Sequence, residues 1–288
     1  MNHNSKEIWA HTLVKNEERY IWFAVMSVID HVDKVLLWDT GSTDNTRGII
    51  DELIKKYPGK IQFKEVGEVD PQKFTEIRQQ MLEQTKADWI LIVDGDEVWW
   101  EGSIKKVVKV IKSNTGITGK GIESIVSPNF NIVGDIYHYQ EDSAGRYQID
   151  EKRGHINIRA TNLKIPGLHF DKPHGSLGLF DGDGKLIQER DKDKRVFINA
   201  PYMHFTNMIR SSNRENDLLV PKRKNKLKYE IGKSFSKDFY YPEVFFKDHP
   251  GIVESPWTGT NSMFKLRAYL ETPLRKIKRR IWQGKPGY

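Results

Sequence analysis

Trp89-Ile90-Leu91-Ile92-Val93-Asp94-Gly95-Asp96-Glu97 is the stretch on which the fold turns. A short apolar run bounded by polar residues reads as a buried strand. At its carboxyl end stand Asp94 and Asp96. Residues i and i+2 of a strand can share a side. The carboxyl ends of strands in open α/β sheets border the crevice where ligands bind. Two oxygen-rich groups there suit a hard cation such as Mg2+ or Mn2+, and a diphosphate can complete its coordination. The competing reading is a strand that simply ends in an acidic turn.

The flanking sequence decides between them. Ile8–Val14 reads as a strand, followed by Asn16-Glu17-Glu18, whose acids suit the first turn of a helix running to about Asp30. Lys34–Trp38 reads as a second strand, ending in Asp39-Thr40-Gly41-Ser42-Thr43-Asp44. Gly41 permits a tight turn, and Ser42, Thr43 or Asp44 can cap the next helix. Ile49, Ile50, Leu53, Ile54 and Tyr57 then follow helical spacing, and Pro58-Gly59 stops the helix. Ile61–Val66 is a third strand. Phe74, Ile77, Met81 and Leu82 mark another helical face, as do Ile104, Val107, Val108 and Ile111 beyond the acidic motif. Strands alternating with helices imply parallel βαβ units.

In this order, Asn16-Glu17-Glu18, Asp39-x-Gly41-Ser42-x-Asp44 and Asp94-x-Asp96 resemble the family 2 glycosyltransferases with the GT-A fold. The resemblance covers Ile8 to Lys112 most fully and extends loosely to His204. It implies an α/β, Rossmann-like sheet, mixed but mainly parallel and flanked by helices. A mixed β acceptor region and a helical C-terminal extension would follow. The expected division is a catalytic domain over 1–205, with a nucleotide-sugar half (1–112) and an acceptor half (113–205), then a basic extension over 206–288. The chain departs from the pattern at Thr40, where many members carry a second Asp.

The resemblance also implies roles. Asp39 would accept hydrogen bonds from the base or ribose, a task that suits a carboxylate. Asn16, Glu17, Gly41, Ser42 and Asp44 would form the same nucleotide pocket. Asp94 would meet the ribose or the metal, Asp96 would bind the metal directly, and His204 would be a later ligand. Imidazole suits Mn2+ better than Mg2+. Arg78 is a candidate diphosphate contact, because guanidinium pairs with phosphate bidentately. Inverting transfer needs a general base. Asp171 is the first candidate, with Glu141 and Asp142 as alternatives, and His174 is a candidate acceptor or phosphate contact. Arg210 and the run Lys222-Arg223-Lys224-Asn225-Lys226 can approach the diphosphate, although a charge run more often forms a solvated face.

Composition bounds the rest. The 288 residues carry a formal net charge of +7, no cysteine and 38% hydrophobic residues, with a mean hydropathy of -0.63. These values describe a globular chain with neither a disulfide frame nor a Cys metal site. No apolar signal core opens the sequence and no run reaches the length of a membrane span, so a cytoplasmic location is expected. Short β-like runs at Ile122–Val126, Arg146–Ile149, His155–Arg159 and Val196–Asn199 suit a mixed sheet, and Asp181-Gly-Asp-Gly184 reads as a hairpin turn. Asn213–Ile231 reads as helical and Ser234–Trp257 as an aromatic loop packed on the body. Leu266, Leu270, Leu274, Ile277 and Ile281 recur at helical spacing among Lys and Arg, with Trp282 beside them, and Pro273 is expected to interrupt that helix. Such a segment can lie on the inner face of an anionic membrane or pack on its own domain. Nothing resembles a nucleic-acid module.

The leading expectation is a metal-dependent, inverting glycosyltransferase that uses a nucleotide-diphosphate sugar, chiefly a UDP-sugar, on a glycan, lipid-linked or other acceptor. One rival is a haloacid-dehalogenase-like phosphatase using Asp94 and Asp96, which leaves the two earlier motifs without a task. Another is a non-catalytic carbohydrate-binding protein on the same scaffold.

Overall fold

The computed structural model describes residues 6–113, 121–173, 176–212, 214–220 and 223–281. Its strands are β1 (Ile8–Val14), β2 (Lys34–Asp39), β3 (Ile61–Glu65), β4 (Trp89–Ile92), β5 (Glu97–Trp99), β6 (Ser124–Val133), β7 (Asp135–Tyr139), β8 (Tyr147–Ile149), β9 (Lys152–Gly154), β10 (Ile156–Asn162), β11 (His169–Asp171), β12 (Gly178–Phe180), β13 (Arg195–Phe197), β14 (Tyr202–His204) and β15 (Lys233–Ser234). The α-helices are α1 (Ile21–Met26), α2 (Thr46–Lys56), α3 (Pro71–Gln84), α4 (Glu101–Ser113), α5 (Arg214–Leu219), α6 (Arg223–Lys226) and α7 (Ser262–Ile281).

One mixed sheet runs β15-β7-β6-β10-β4-β1-β2-β3, with β13 and β14 joined to β6, and β5 joined to β14. β3, β2, β1 and β4 are parallel. β10 then turns the sheet by pairing antiparallel to both β4 and β6. β1, β2 and β4 are buried on both faces, as helices on both sides require, whereas the edge strand β3 is largely exposed. Trp9, Leu13, Leu36 and Trp38 face Ile77 and Met81 of α3. Ile8, Ala10, Val35 and Leu37 join Ile49, Ile50 and Leu53 of α2 in the main core. This alternation follows from the two-residue period of a strand. The α/β fold class expected from the sequence is the one observed.

Local chemistry explains the helix ends. Asp70 Oδ1 accepts the N–H groups of Gln72 and Lys73 at 2.8 Å, and Pro71 follows it, so α3 starts there. At α2, Asp44 Oδ1 accepts the Thr46 N–H at 3.0 Å.

The structure corrects several boundaries. Glu17 and Glu18 lie in a turn ahead of α1, which begins only at Ile21 and is followed by a short turn of 3-10 helix at Ile29–His31. Asn16 adopts φ 53°, a left-handed conformation that breaks the chain before any helix can start. β4 stops at Ile92, so Asp94 and Asp96 stand in the turn between β4 and β5. The expected helix at 213–231 is two short pieces, α5 and α6. Pro273 does not interrupt α7. The carbonyl it leaves unpaired belongs to Tyr269, a residue 71% exposed, where water can satisfy it. The aromatic segment packs as expected, with Val244, Phe245 and Val253 buried in the main core.

Leu91 is fully buried in β4, between β1 and β10. Leu91→Ala should therefore destabilise the fold by roughly 2–5 kcal/mol. Equilibrium urea unfolding checks this, and a midpoint equal to wild type would show that β4 is not central.

Candidate functional site

The carboxyl ends of β1, β2 and β4 bring three sequence motifs together. Gly95 fixes how closely. A Cβ placed on it would lie 2.9 Å from both the Glu17 and Val14 side chains, so the turn after β4 can press against the turn after β1 only with glycine there. Gly41 has φ +85° and makes the sharp turn after β2. The Ser42 N–H donates to Asp39 Oδ1 at 2.8 Å, and the Asn16 N–H donates to Ser42 Oγ at 2.8 Å. The Thr43 N–H donates to Asn16 Oδ1 at 2.7 Å. Asn16, Ser42 and Thr43 thus brace the two turns, and Asp39 is buried at their junction. Burial pushes the Asp39 carboxyl up, opposed by the Ser42 N–H.

The two acidic residues of the central motif face different partners. Asp94 Oδ1 accepts from Arg78 Nη2 at 2.8 Å, and its Oδ2 lies 3.6 Å from Arg159 Nη1. Burial pushes this carboxyl up, but Arg78 and Arg159 outweigh it and hold it well below the usual carboxylate range. Asp96 Oδ2 pairs with Arg210 Nη1 at 2.5 Å and lies 3.6 Å from His204 Nε2. Against burial, Arg210 and His204 hold Asp96 below its ordinary value. His204 sits on β14 opposite Glu97. Burial drives its imidazole down to about 4, so it is neutral at pH 7 and able to act as a ligand.

Further cations surround these acids. Arg210 Nη1 also pairs with Glu17 Oε1 at 2.9 Å. Arg223 Nη2 donates to Glu17 Oε1 at 2.5 Å and to the Lys15 carbonyl at 2.8 Å. Arg159 pairs with the fully buried Glu97 and donates through Nε to the Tyr202 hydroxyl at 2.8 Å. The expected solvated face at 222–226 is therefore corrected at Arg223, which is 4% exposed and threaded into the turn after β1, whereas Lys224 and Lys226 are exposed. Lys226 still adds positive field at Asp96 and His204. Sequence reasoning missed Arg159 and Glu97 altogether. The only signal for either was a charge inside a run otherwise suited to a buried strand.

The base candidates lie elsewhere. Asp171 is exposed on β11, and its Oδ1 accepts the neighbouring Lys172 N–H at 2.7 Å. Glu141 lies 3.4 Å from Arg279. Asp142 begins a single turn of 3-10 helix that leads to Tyr147. Burial raises the Tyr147 hydroxyl against Arg159, and Asp94 and Glu97 raise it further. His174, Lys222 and Trp282 lie outside the described residues. Asp181 closes its hairpin as expected, with Oδ1 accepting from the Asp183 and Lys185 N–H groups.

The fit to a divalent cation is partial. Asp96 and His204 offer an oxygen and a neutral nitrogen side by side. Both oxygens of Asp94 face guanidinium groups. Among the described residues no group of three or more His, Asp or Glu could hold an ion unaided. Two protein ligands plus oxygens from a bound diphosphate match this set.

Comparison with known proteins follows from this geometry. Residues 11–186, more than half of the chain, match the model of the family described as Glycosyl transferase family 2. No curated protein is similar in sequence. Among solved structures, S. aureus TarS is 15% identical with a TM-score of 0.44, over 76% of this chain and 43% of that one. Glucosyl-3-phosphoglycerate synthase from Mycobacterium tuberculosis, crystallised with Mn2+, uridine diphosphate and glucosyl-3-phosphoglycerate, is 19% identical with a TM-score of 0.43, over 76% of each chain. The mannosyltransferase PcManGT from Pyrobaculum calidifontis, in complex with GDP-Man and Mn2+, is 15% identical with a TM-score of 0.37, over 56% of this chain and 45% of that one. The chain thus spans less than half the length of TarS.

The state of His204 gives a pH signature. Between pH 6.5 and about 4 the unfolded chain binds a proton at this residue and the folded chain does not. The contribution of neutral His204 is complete above pH 6.5 and is lost as pH falls through about 4. In chelator, His204→Asn should flatten the fall in unfolding free energy across that window by up to about 1.4 kcal/mol per pH unit. An unchanged slope would mean that His204 is protonated in the fold.

Proposed function

The chain belongs to glycosyl transferase family 2, and from that premise we propose that it moves a sugar from a nucleoside-diphosphate donor, chiefly a UDP-sugar, to an acceptor hydroxyl with inversion at the anomeric carbon. The acceptor is a glycan, a lipid-linked molecule or another hydroxyl carrier. The observation that carries this reading is the meeting of Glu17 after β1, Asp39 at the end of β2, and Asp94 and Asp96 after β4 at three adjacent strand ends, with Arg78 and Arg210 beside them. No observation favours the phosphatase rival, which gives Asp39 no task.

Each residue has a role of its own in this reading. Asp39 accepts a hydrogen bond from the base or ribose, and the turn at Asn16 and Glu17, held to Gly41, Ser42 and Asp44, shapes the pocket around it. Asp94 would meet the ribose or the metal once Arg78 turns to the diphosphate. Arg78 and Arg210 supply guanidinium donors to the diphosphate. Asp96 and His204 would hold Mn2+ or Mg2+, with Mn2+ better suited to the imidazole. Such an ion neutralises charge on a departing nucleoside diphosphate. His174 is kept as an acceptor or phosphate contact.

For the general base we favour Asp142 over Asp171 and Glu141. Glu141 is engaged by Arg279, and the described hydrogen bond of Asp171 is to its own neighbour. Asp142 is exposed and lines an open cavity, where an acceptor hydroxyl could reach it. A carboxylate there takes the acceptor proton as the new glycosidic bond forms.

Two experiments test these assignments. By calorimetry, Asp96→Ala should abolish the Mn2+-dependent part of UDP binding, whereas Asp39→Ala should weaken UDP roughly ten- to a hundredfold with or without metal, as loss of a charged hydrogen bond implies. Unchanged UDP affinity in either variant removes that residue from the donor site. In a transfer assay, Asp142→Asn should lower turnover about a hundredfold or more while donor affinity holds. Wild-type turnover in that variant would return the role to Asp171 or Glu141, tested as Asp171→Asn and Glu141→Gln.

A further inference from the structure

α7 attaches to the body by its small and polar side and turns its apolar side outward. Ala268 and Thr272 are its buried residues. Thr272 Oγ1 accepts the Ile231 N–H at 2.8 Å, and Arg279 donates to both oxygens of Glu230 at 2.6 and 2.7 Å. At 3.6 residues per turn, Leu266, Leu270, Leu274, Ile277 and Ile281 lie on the opposite face. These five side chains are 53–76% exposed. A helix that served only its own domain would bury that stripe. The same spacing sets Lys265, Lys276 and Arg280 along one border of the stripe and Arg267 and Lys278 along the other.

A second feature adjoins the first border. A cavity of about 610 Å³ opens between α7 and the segment that starts at Glu141. Arg146 and Arg153 from the body and Lys276 and Arg280 from α7 line it. Among the described residues none of these four forms an ion pair, although Glu141 and Asp142 share the wall and Arg279 is already paired. Cations on two separate elements thus converge on one opening at the edge of an exposed apolar face. A second copy of this chain fits the stripe poorly, because pairing would set its basic borders against one another. No described helix is long and apolar enough to cross a membrane.

We propose that α7 docks the protein on a membrane rich in anionic phospholipid, with the Leu/Ile stripe in the interface and a lipid phosphate in the Arg146/Arg153/Lys276/Arg280 cavity. An exposed apolar face bordered by Lys and Arg on both sides has the chemistry of an interfacial helix. The proposal deepens the functional reading by placing the acceptor side at a bilayer, and it rests on that reading only in this respect. The cavity opens beside Asp142, so a headgroup held there would present an attached acceptor next to the proposed base.

The test is co-sedimentation of the full chain with phosphatidylcholine vesicles, with and without phosphatidylglycerol, at low and high salt. The intact protein should bind the anionic vesicles, release them as salt rises, and ignore pure phosphatidylcholine. Leu270→Glu with Leu274→Glu should lower vesicle affinity about tenfold or more. Arg146→Glu with Arg153→Glu, which leaves α7 untouched, should do the same and flatten the salt dependence. These side chains are exposed, so melting curves should match wild type, and UDP calorimetry on the same variants should be unchanged. Absence of anionic-vesicle binding, or equal binding by the stripe variant, overturns the proposal. So does a protein that is dimeric by sedimentation velocity, becomes monomeric in the stripe variant and never binds vesicles. Failure of UDP to bind the intact protein would instead overturn the donor reading and leave the vesicle result standing.

Discussion

Four carboxylates, those of Glu17, Asp94, Asp96 and Glu97, share the buried end of one sheet, and that placement governs the rest of the structure. All but Asp94 are under 5% exposed as residues. Burial pushes Glu17 up to about 8 against Arg210 and Arg223, and Glu97 well above its ordinary value against Arg159, so acids gathered here ionise only with cations buried beside them. Arg78 and Arg159 answer Asp94, Arg159 answers Glu97, Arg210 answers Asp96 and Glu17, and Arg223 answers Glu17. The cations come from α3, from β10, from the segment after β14 and from α6. The acidic cluster therefore ties the chain beyond β14 to the first four strands by charge as much as by apolar packing.

This balance shapes how a ligand can enter. A nucleoside diphosphate brings negative charge to a site whose guanidinium groups are already committed to carboxylates. A cation beside Asp96 would compete with Arg210, and the freed guanidinium could then face phosphate. In the proposed reading acid–base partners would exchange within one cluster, so that ion and diphosphate would enter without leaving a buried charge alone. Uncompensated, such a charge costs about 3–5 kcal/mol. Gly95 makes the exchange local, because it brings the turn bearing Asp96 against the turn bearing Glu17.

Much of this was legible in the sequence for a simple reason. β1 to β4 are short apolar runs ending in polar turns, and α2 to α4 carry strong helical spacing, so local pattern and tertiary role agree. Asp39, Asp94 and Asp96 could be placed because each ends or follows an apolar run that reads as a strand. Arg159 and Arg223 could not, because a lone arginine in a strand-like run or a basic stretch looks the same whether buried or solvated. Its partner lies far away in sequence, as Glu17 does for Arg223. Asp44, expected both in the nucleotide pocket and as a helix cap, accepts the Thr46 N–H at the start of α2. The stripe of α7 was visible as a period, but periodicity does not say which face meets the body, and only Ala268 and Thr272 settle that.

The central claim is that these strand ends form the site for a nucleoside-diphosphate sugar. Thermal unfolding of the intact protein with UDP-, GDP- and dTDP-sugars, each with Mn2+ and with chelator, tests it most directly. A ligand at a hundred times its Kd stabilises the fold by about 2.7 kcal/mol, which is readily seen as a rise in melting temperature. The account predicts a rise for one nucleotide class, UDP-sugars first, that is larger with Mn2+ than with chelator. Melting curves unmoved by every nucleotide sugar, with or without the metal, would contradict it.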